Sequence, residues 1–169
     1  MGHGAWSVAI LLLATGAAHP NGYALLHAAA VEASAVHHAG SVSADTLRLS
    51  VEVPRRVPTG DPVPLTLRVK NVSDGPLDLH LRGRTIAFDL IVTGPDGKVV
   101  WRRLADELIP AILRIETLGP EESLHLSDTW DQRSGAGEQV PTGHYTVRGE
   151  VLTEGAPLVT SEEPLHVDP

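Results

Sequence analysis

A chain of 169 residues is long enough for one domain and an appendage, and 42% hydrophobic residues suffice to bury a core. The net charge is −8, and no basic run is longer than the pairs Arg55-Arg56 and Arg102-Arg103; this argues against a nucleic-acid partner, because neutralising phosphates needs clustered cations. Cysteine is absent, which excludes disulfides, thiolate nucleophiles and cysteine-ligated zinc.

Residues 1–45 are rich in Ala, Gly and His, and Glu32 and Asp45 are their only charged side chains. Ala5 to Ala18 is an apolar run of signal-peptide length, shorter than the roughly 20 residues a membrane span needs. Small residues follow at Ala28-Ala29-Ala30 and Ala33-Ser34-Ala35, as before a cleavage point. The positive segment of an export signal is missing, since Arg48 is the first basic residue. The segment therefore reads as a signal peptide, giving a secreted or extracytoplasmic protein. The alternative is a disordered Ala/His-rich leader left by a misassigned start, with the protein in the cytoplasm. Without cysteine a lipoprotein anchor is excluded, and no stable transmembrane span is expected.

From Thr46 onward the pattern changes to period two. Leu47, Leu49, Val51 and Val53 alternate with Arg48, Ser50 and Glu52, and Leu65, Leu67 and Val69 alternate with Thr66, Arg68 and Lys70. The same alternation recurs in Leu77–Leu81, Leu124–Leu126 and Tyr145–Val147. Successive strand side chains point to opposite faces, so each run reads as a half-buried strand. Turn residues separate the runs, as in Pro58-Thr59-Gly60-Asp61, Ser73-Asp74-Gly75-Pro76, Gly119-Pro120 and Pro141-Thr142-Gly143. Pro95-Asp96-Gly97 predicts a hairpin between Phe88–Thr93 and Lys98–Arg103. A short helix, broken by Pro110, is the only one allowed, at Leu104–Leu113. The expectation is an all-β, Ig-like antiparallel β-sandwich of 8 to 9 strands over residues 46–168. Phe88, Trp101, Trp130 and Tyr145 should mark its core.

Enzyme constellations are missing. There is no Gly-rich phosphate loop, no H-E-x-x-H and no G-x-S-x-G. The histidines are dispersed: His37-His38 are adjacent and diverge, and His80, His125 and His144 fall on polar strand faces, so no metal site or cofactor is expected. Asp128 and Asp131 flank Trp130 and read as a strand end and a turn cap. Asn71-Val72-Ser73 matches a glycosylation acceptor, but with Asp74 and Gly75 it reads as a turn.

Four pieces, in order, resemble the intracellular proteinase inhibitor (BsuPI-type) family. They are Leu67–Leu77 with its Asn-Ser turn, Phe88–Val92 leading through Asp96-Gly97 to Trp101, Leu118-Gly119-Pro120-Glu121-Glu122 leading to Trp130-Asp131, and Pro141-Thr142-Gly143-His144-Tyr145-Thr146-Val147. The family usually has glycine after the proline of the third piece, where this chain has Glu121. Physically these residues are scaffold: Trp101 and Trp130 should face one another across the sandwich, and Gly143 with Tyr145 resembles a tyrosine corner. The resemblance implies a non-enzymatic, monomeric protein-binding domain whose partner is a serine-type proteinase. The alternative on the same fold is a cell-envelope adhesion or assembly module without inhibitory activity. The expected contact loop is Asp131–Val140, through Asp131, Gln132, Arg133, Ser134 and Glu138, with Gly135 and Gly137 giving it mobility. Leu104–Ile112 is the second candidate.

Overall fold

The computed structural model of the chain describes residues 46–169. The leader read at residues 1–45 lies outside the described residues.

In chain order the strands are β1 (Leu47–Glu52), β2 (Arg56–Pro58), β3 (Val63–Asn71), β4 (Leu77–Arg82), β5 (Phe88–Thr93) and β6 (Val99–Arg102), then β7 (Leu113–Leu118), β8 (Ser123–Trp130), β9 (Gly143–Val151), β10 (Leu158–Val159) and β11 (Glu163–Asp168). One sheet has the order β1-β3-β8, a second β2-β11-β9-β5-β6 with β10 on β9, and β4 and β7 form a separate pair. All pairs are antiparallel except β2 with β11. The first two sheets bury their facing sides in one apolar cluster, an immunoglobulin-like β-sandwich.

The expected alternation is clearest in β3, where Val63, Leu65, Leu67 and Val69 are all fully buried and the intervening side chains are not. β5 instead is buried on both faces, because it runs between β9 and β6 with Ile91 flanked by Arg148 and Arg102 on its outer side. The sheets pack tightly at Gly149, where a Cβ would lie 2.7 Å from Leu67 Cδ1, so a side chain there would press on β3. Trp130 lies between the sheets, its ring 6.5 Å from that of Trp101 and 5.7 Å from that of Tyr145. The Tyr145 hydroxyl donates to Pro141 O at 2.5 Å, the expected corner, and Gly143 takes φ +151° at its start. The β5–β6 hairpin also forms, closed by Gly94 N donating to Lys98 O at 2.8 Å.

Three expectations are corrected. Among the described residues there are eleven strands, not 8 to 9, since β2 and β10 have 3 and 2 residues and show no period. No helix forms over 104–113: Pro110 cannot continue one, and the segment is tethered at both ends. Trp101 is only half-buried and packs on the margin of the core, whereas Trp130 is fully buried.

Candidate functional site

The expected contact loop, Asp131–Val140, is a closed miniature hairpin. Arg133 bridges Gln139, Ser134 N donates to Glu138 O at 2.8 Å, and Val140 N donates to Gln132 O at 2.9 Å. The body of the domain holds it as well: Gly135 N donates to Val100 O, and Trp130 Nε1 donates to Arg133 O, both at 2.8 Å. With Gly137 N also donating to Ser134 O at 2.8 Å, the loop is held by hydrogen bonds at both glycines, against the mobility expected from them.

Gln132 is removed from the contact set. It is 0% exposed at φ +58°, its amide Nε2 donates to Pro58 O and Asp61 O at 2.7 Å, and its Oε1 accepts from Gly60 N at 2.9 Å. Both amide N–H donors and one acceptor site of its side chain tie this loop to the turn between β2 and β3. Asp131, Arg133 and Glu138 are exposed and Ser134 is half-buried. Arg133, however, is folded back: its guanidinium donates to Gly137 O at 2.8 Å and lies 3.7 Å from Asp131.

The second candidate, Leu104–Ile112, has the opposite construction. Its start is anchored on Asp89, a carboxylate 1% exposed, which accepts from Arg102 Nε and Nη2 at 2.8 and 2.6 Å and from Leu104 N at 3.1 Å. Arg103 beside it lies 4.1 Å over the Phe88 ring and pairs with Asp128 at 2.8 Å, a bridge from β6 to the facing sheet. The far end is anchored where Gly83 N donates to Ile112 O at 2.8 Å and where β7 pairs with β4. Between the anchors the chain makes a turn, with Glu107 N donating to Leu104 O at 3.2 Å, and then runs without regular structure; Leu108 is 98% exposed with Pro110 two residues on. The apolar surface continues onto β7. Leu113 and Ile115 lie opposite Arg82 and His80 on the outward face, while Arg114 and Glu116 lie opposite the buried Leu81 and Leu79.

A shallow cavity of about 600 Å³ lies beside this segment, lined by Arg82, Asp89, Arg102, Leu104, Glu107 and Glu150 among others. Among its charged residues Arg102 pairs with Asp89, Glu150 with Arg148 at 3.0 Å, and Arg82 donates to the carbonyls of Thr153 and Glu154. Among the described residues no group of three or more metal-binding side chains converges.

Titration is perturbed at structural contacts. Hydrogen bonds from Arg56 hold the Asp168 carboxyl below the usual carboxylate range, and Lys70 does the same for Glu121. The backbone N–H of Lys98 chiefly lowers Asp96, and burial pushes the Tyr145 phenol up. Asp131 caps a turn as expected, accepting from Arg133 N at 3.1 Å, but Asp128 lies inside β8, where its partner is Arg103.

Asn71 has a larger part than its sequence context shows. It is 0% exposed; its Nδ2 faces Gly75 O, Leu118 O and Gly119 O at 2.8 to 3.1 Å, and its Oδ1 accepts from Ser73 N and Oγ. The nitrogen a glycan would need is thus engaged inside the fold, joining the β3–β4 turn to the end of β7. The cluster of Asn, Ser, Asp and Gly marked the turn; nothing local marked its depth.

The described residues thus form an immunoglobulin-like sandwich that carries an exposed apolar segment anchored at both ends. The chain belongs to the intracellular proteinase inhibitor (BsuPI) family, whose model matches residues 49–156. No curated protein matches the chain. Solved structures similar to it include a Pseudomonas fluorescens alkylpurine DNA glycosylase bound to DNA containing an abasic site analog, at 13% identity and TM-score 0.41 over 72% of this chain and 30% of that one. A CARDB domain from Pyrococcus furiosus, in complex with di-metal ions, is similar at 16% identity and TM-score 0.40 over 72% of this chain and 87% of that one. A Listeria innocua beta-glucosidase in complex with glucose has 14% identity and TM-score 0.39 over 72% of this chain and 16% of that one. The chain thus spans less than a third of the glycosylase and less than a fifth of the glucosidase.

Proposed function

We propose that the domain inhibits a serine-type proteinase through the segment Leu104–Ile112, presenting Leu108 to an apolar primary pocket. The observation that carries this reading is the 98% exposure of Leu108 in a segment tethered at both ends. A large apolar side chain held out in water gains the transfer free energy of burial when a pocket accepts it, roughly 1.5–3 kcal/mol. The anchors at Asp89 and Gly83, with Pro110 between them, leave little chain entropy to lose on binding. The Asp131–Val140 hairpin is less suited, because Arg133 is occupied within it and Gln132 is buried. Family membership supports a proteinase as the partner, and the scaffold roles of the family-like residues support a non-catalytic protein.

The test is inhibition of subtilisin-like and trypsin-like proteinases by the purified protein. The parent should inhibit an enzyme with an apolar pocket, and Leu108→Asp should raise the inhibition constant at least 100-fold while the melting temperature stays unchanged. Equal inhibition by Leu108→Asp and the parent would overturn the role of this segment. A parent that inhibits no enzyme in a broad panel would overturn inhibition itself.

A further inference from the structure

We propose that His144 and His166 together chelate a divalent transition-metal ion of the Zn²⁺, Ni²⁺ or Cu²⁺ type, with Asp168 as the carboxylate behind His166. The two histidines are 22 residues apart in sequence but are direct partners in the β9–β11 register, so both rings project from the same outer face. Their Nδ1 atoms are 3.3 Å apart and their ring centroids 4.3 Å. Two imidazole nitrogens each about 2.0–2.1 Å from one tetrahedral ion are separated by about 3.3 Å, so the pair already has the spacing of two ligands on one metal.

The surroundings set which nitrogen is free. His166 Nε2 lies 3.3 Å from Asp168 Oδ1, an ion-pair contact that favours the tautomer with the proton on Nε2 and the Nδ1 lone pair toward His144. Metal-binding histidines commonly give their second N–H to a carboxylate, which fixes the tautomer and raises ligand basicity, and Asp168 stands where that carboxylate would. Asp168 is itself held by Arg56, whose Nε and Nη2 lie 3.0 and 2.5 Å from its two oxygens. That pairing also offsets the guanidinium's charge, which would otherwise repel a cation. Without an ion, only one proton can be shared between the two Nδ1 atoms; an ion accepts both lone pairs at once. Imidazole donors favour borderline transition metals over Mg²⁺ or Ca²⁺. His144 is exposed, so water completes the coordination, and with two protein ligands the site is weaker than a four-ligand structural zinc.

The test is a ZnCl₂ titration of the full chain followed by NMR of the histidine rings, which separates this pair from the chain's other histidines. The His144 and His166 resonances should move together and saturate at one ion per protein, with no response to MgCl₂. His144→Gln should weaken the response of the His166 ring at least tenfold, and Asp168→Asn should weaken the parental response several-fold, the thermal midpoint of each variant verifying its fold. Unmoved rings at saturating zinc, or a His166 response in His144→Gln at the parental affinity, would overturn the site.

Discussion

Glu121 takes φ +64°, a left-handed conformation that costs a residue with a Cβ about 1–2 kcal/mol relative to glycine. It is also the position at which the family-like pattern departs from its usual glycine, and the backbone explains why glycine is usual there. The turn is held by Glu121 N donating to Asn71 O at 3.1 Å and by Glu122 Oε2 accepting from Gly119 N at 2.7 Å, so the conformation is imposed from both sides. Glu121 recovers part of the cost through its ion pair with Lys70. That pair is exposed on the carboxylate side and so of small effect. Glu121→Gly is therefore expected to raise the thermal midpoint by a few degrees, whereas Glu121→Ala, which keeps the strain and loses the pair, should lower it. Scanning calorimetry of the two variants checks this. The departure was legible as a change of letter. The φ that makes it a strain was not, and neither was the burial of Gln132, because both depend on what the rest of the fold places around them.

At the scale of elements, period two identified β1, β3, β4, β8 and β9, and turn residues located the β5–β6 hairpin. β7 was hidden, although its residues alternate, because alternation says that a strand has two faces and not which face meets the core. Here the apolar set, Leu113 and Ile115, is exposed, while the charged set, Arg114 and Glu116, is the one in register with the buried Leu81 and Leu79. β11 was missed for a different reason: Pro164 interrupts its apolar alternation, and its place between β2 and β9 is set by long-range pairing. The tryptophans show the same limit. Both are large and apolar, and size alone made them equal as core candidates. Trp130 is fully buried with its Nε1 satisfied, while Trp101 covers the core edge from β6. Trp130→Ala should therefore cost about 4–5 kcal/mol, in the range for deleting a buried aromatic, and Trp101→Ala about 1–2 kcal/mol. Urea unfolding of both variants measures the difference. Equal losses would mean that Trp101 is as deep in the core as Trp130.

The described part of the molecule is closed by its last strand. β11 completes the larger sheet, burying Leu165 and Val167, and β2 joins it in parallel near the beginning of the domain. Arg56 and Asp168 fasten this junction at its surface, and Thr59 adds bonds from its N and Oγ1 to Asp168 O at 2.9 and 2.6 Å. The Arg56 pairing makes the junction sensitive to acid. It depresses the Asp168 carboxyl, so folding favours the ionised form. A carboxylate whose folded pKa lies below its unfolded value contributes stability that is complete above the unfolded value, near pH 4, and is lost as pH falls through the folded one. Arg56→Gln removes the main cause of the depression. The variant should therefore unfold at lower urea than the parent at pH 7, and the gap should narrow below about pH 4 as Asp168 takes up its proton in both proteins. Urea midpoints at pH 7 and at about pH 2.5 test this linkage. A gap of equal size at the two pH values would mean that Arg56 stabilises the junction through packing of its side-chain stem and not through the charge on Asp168.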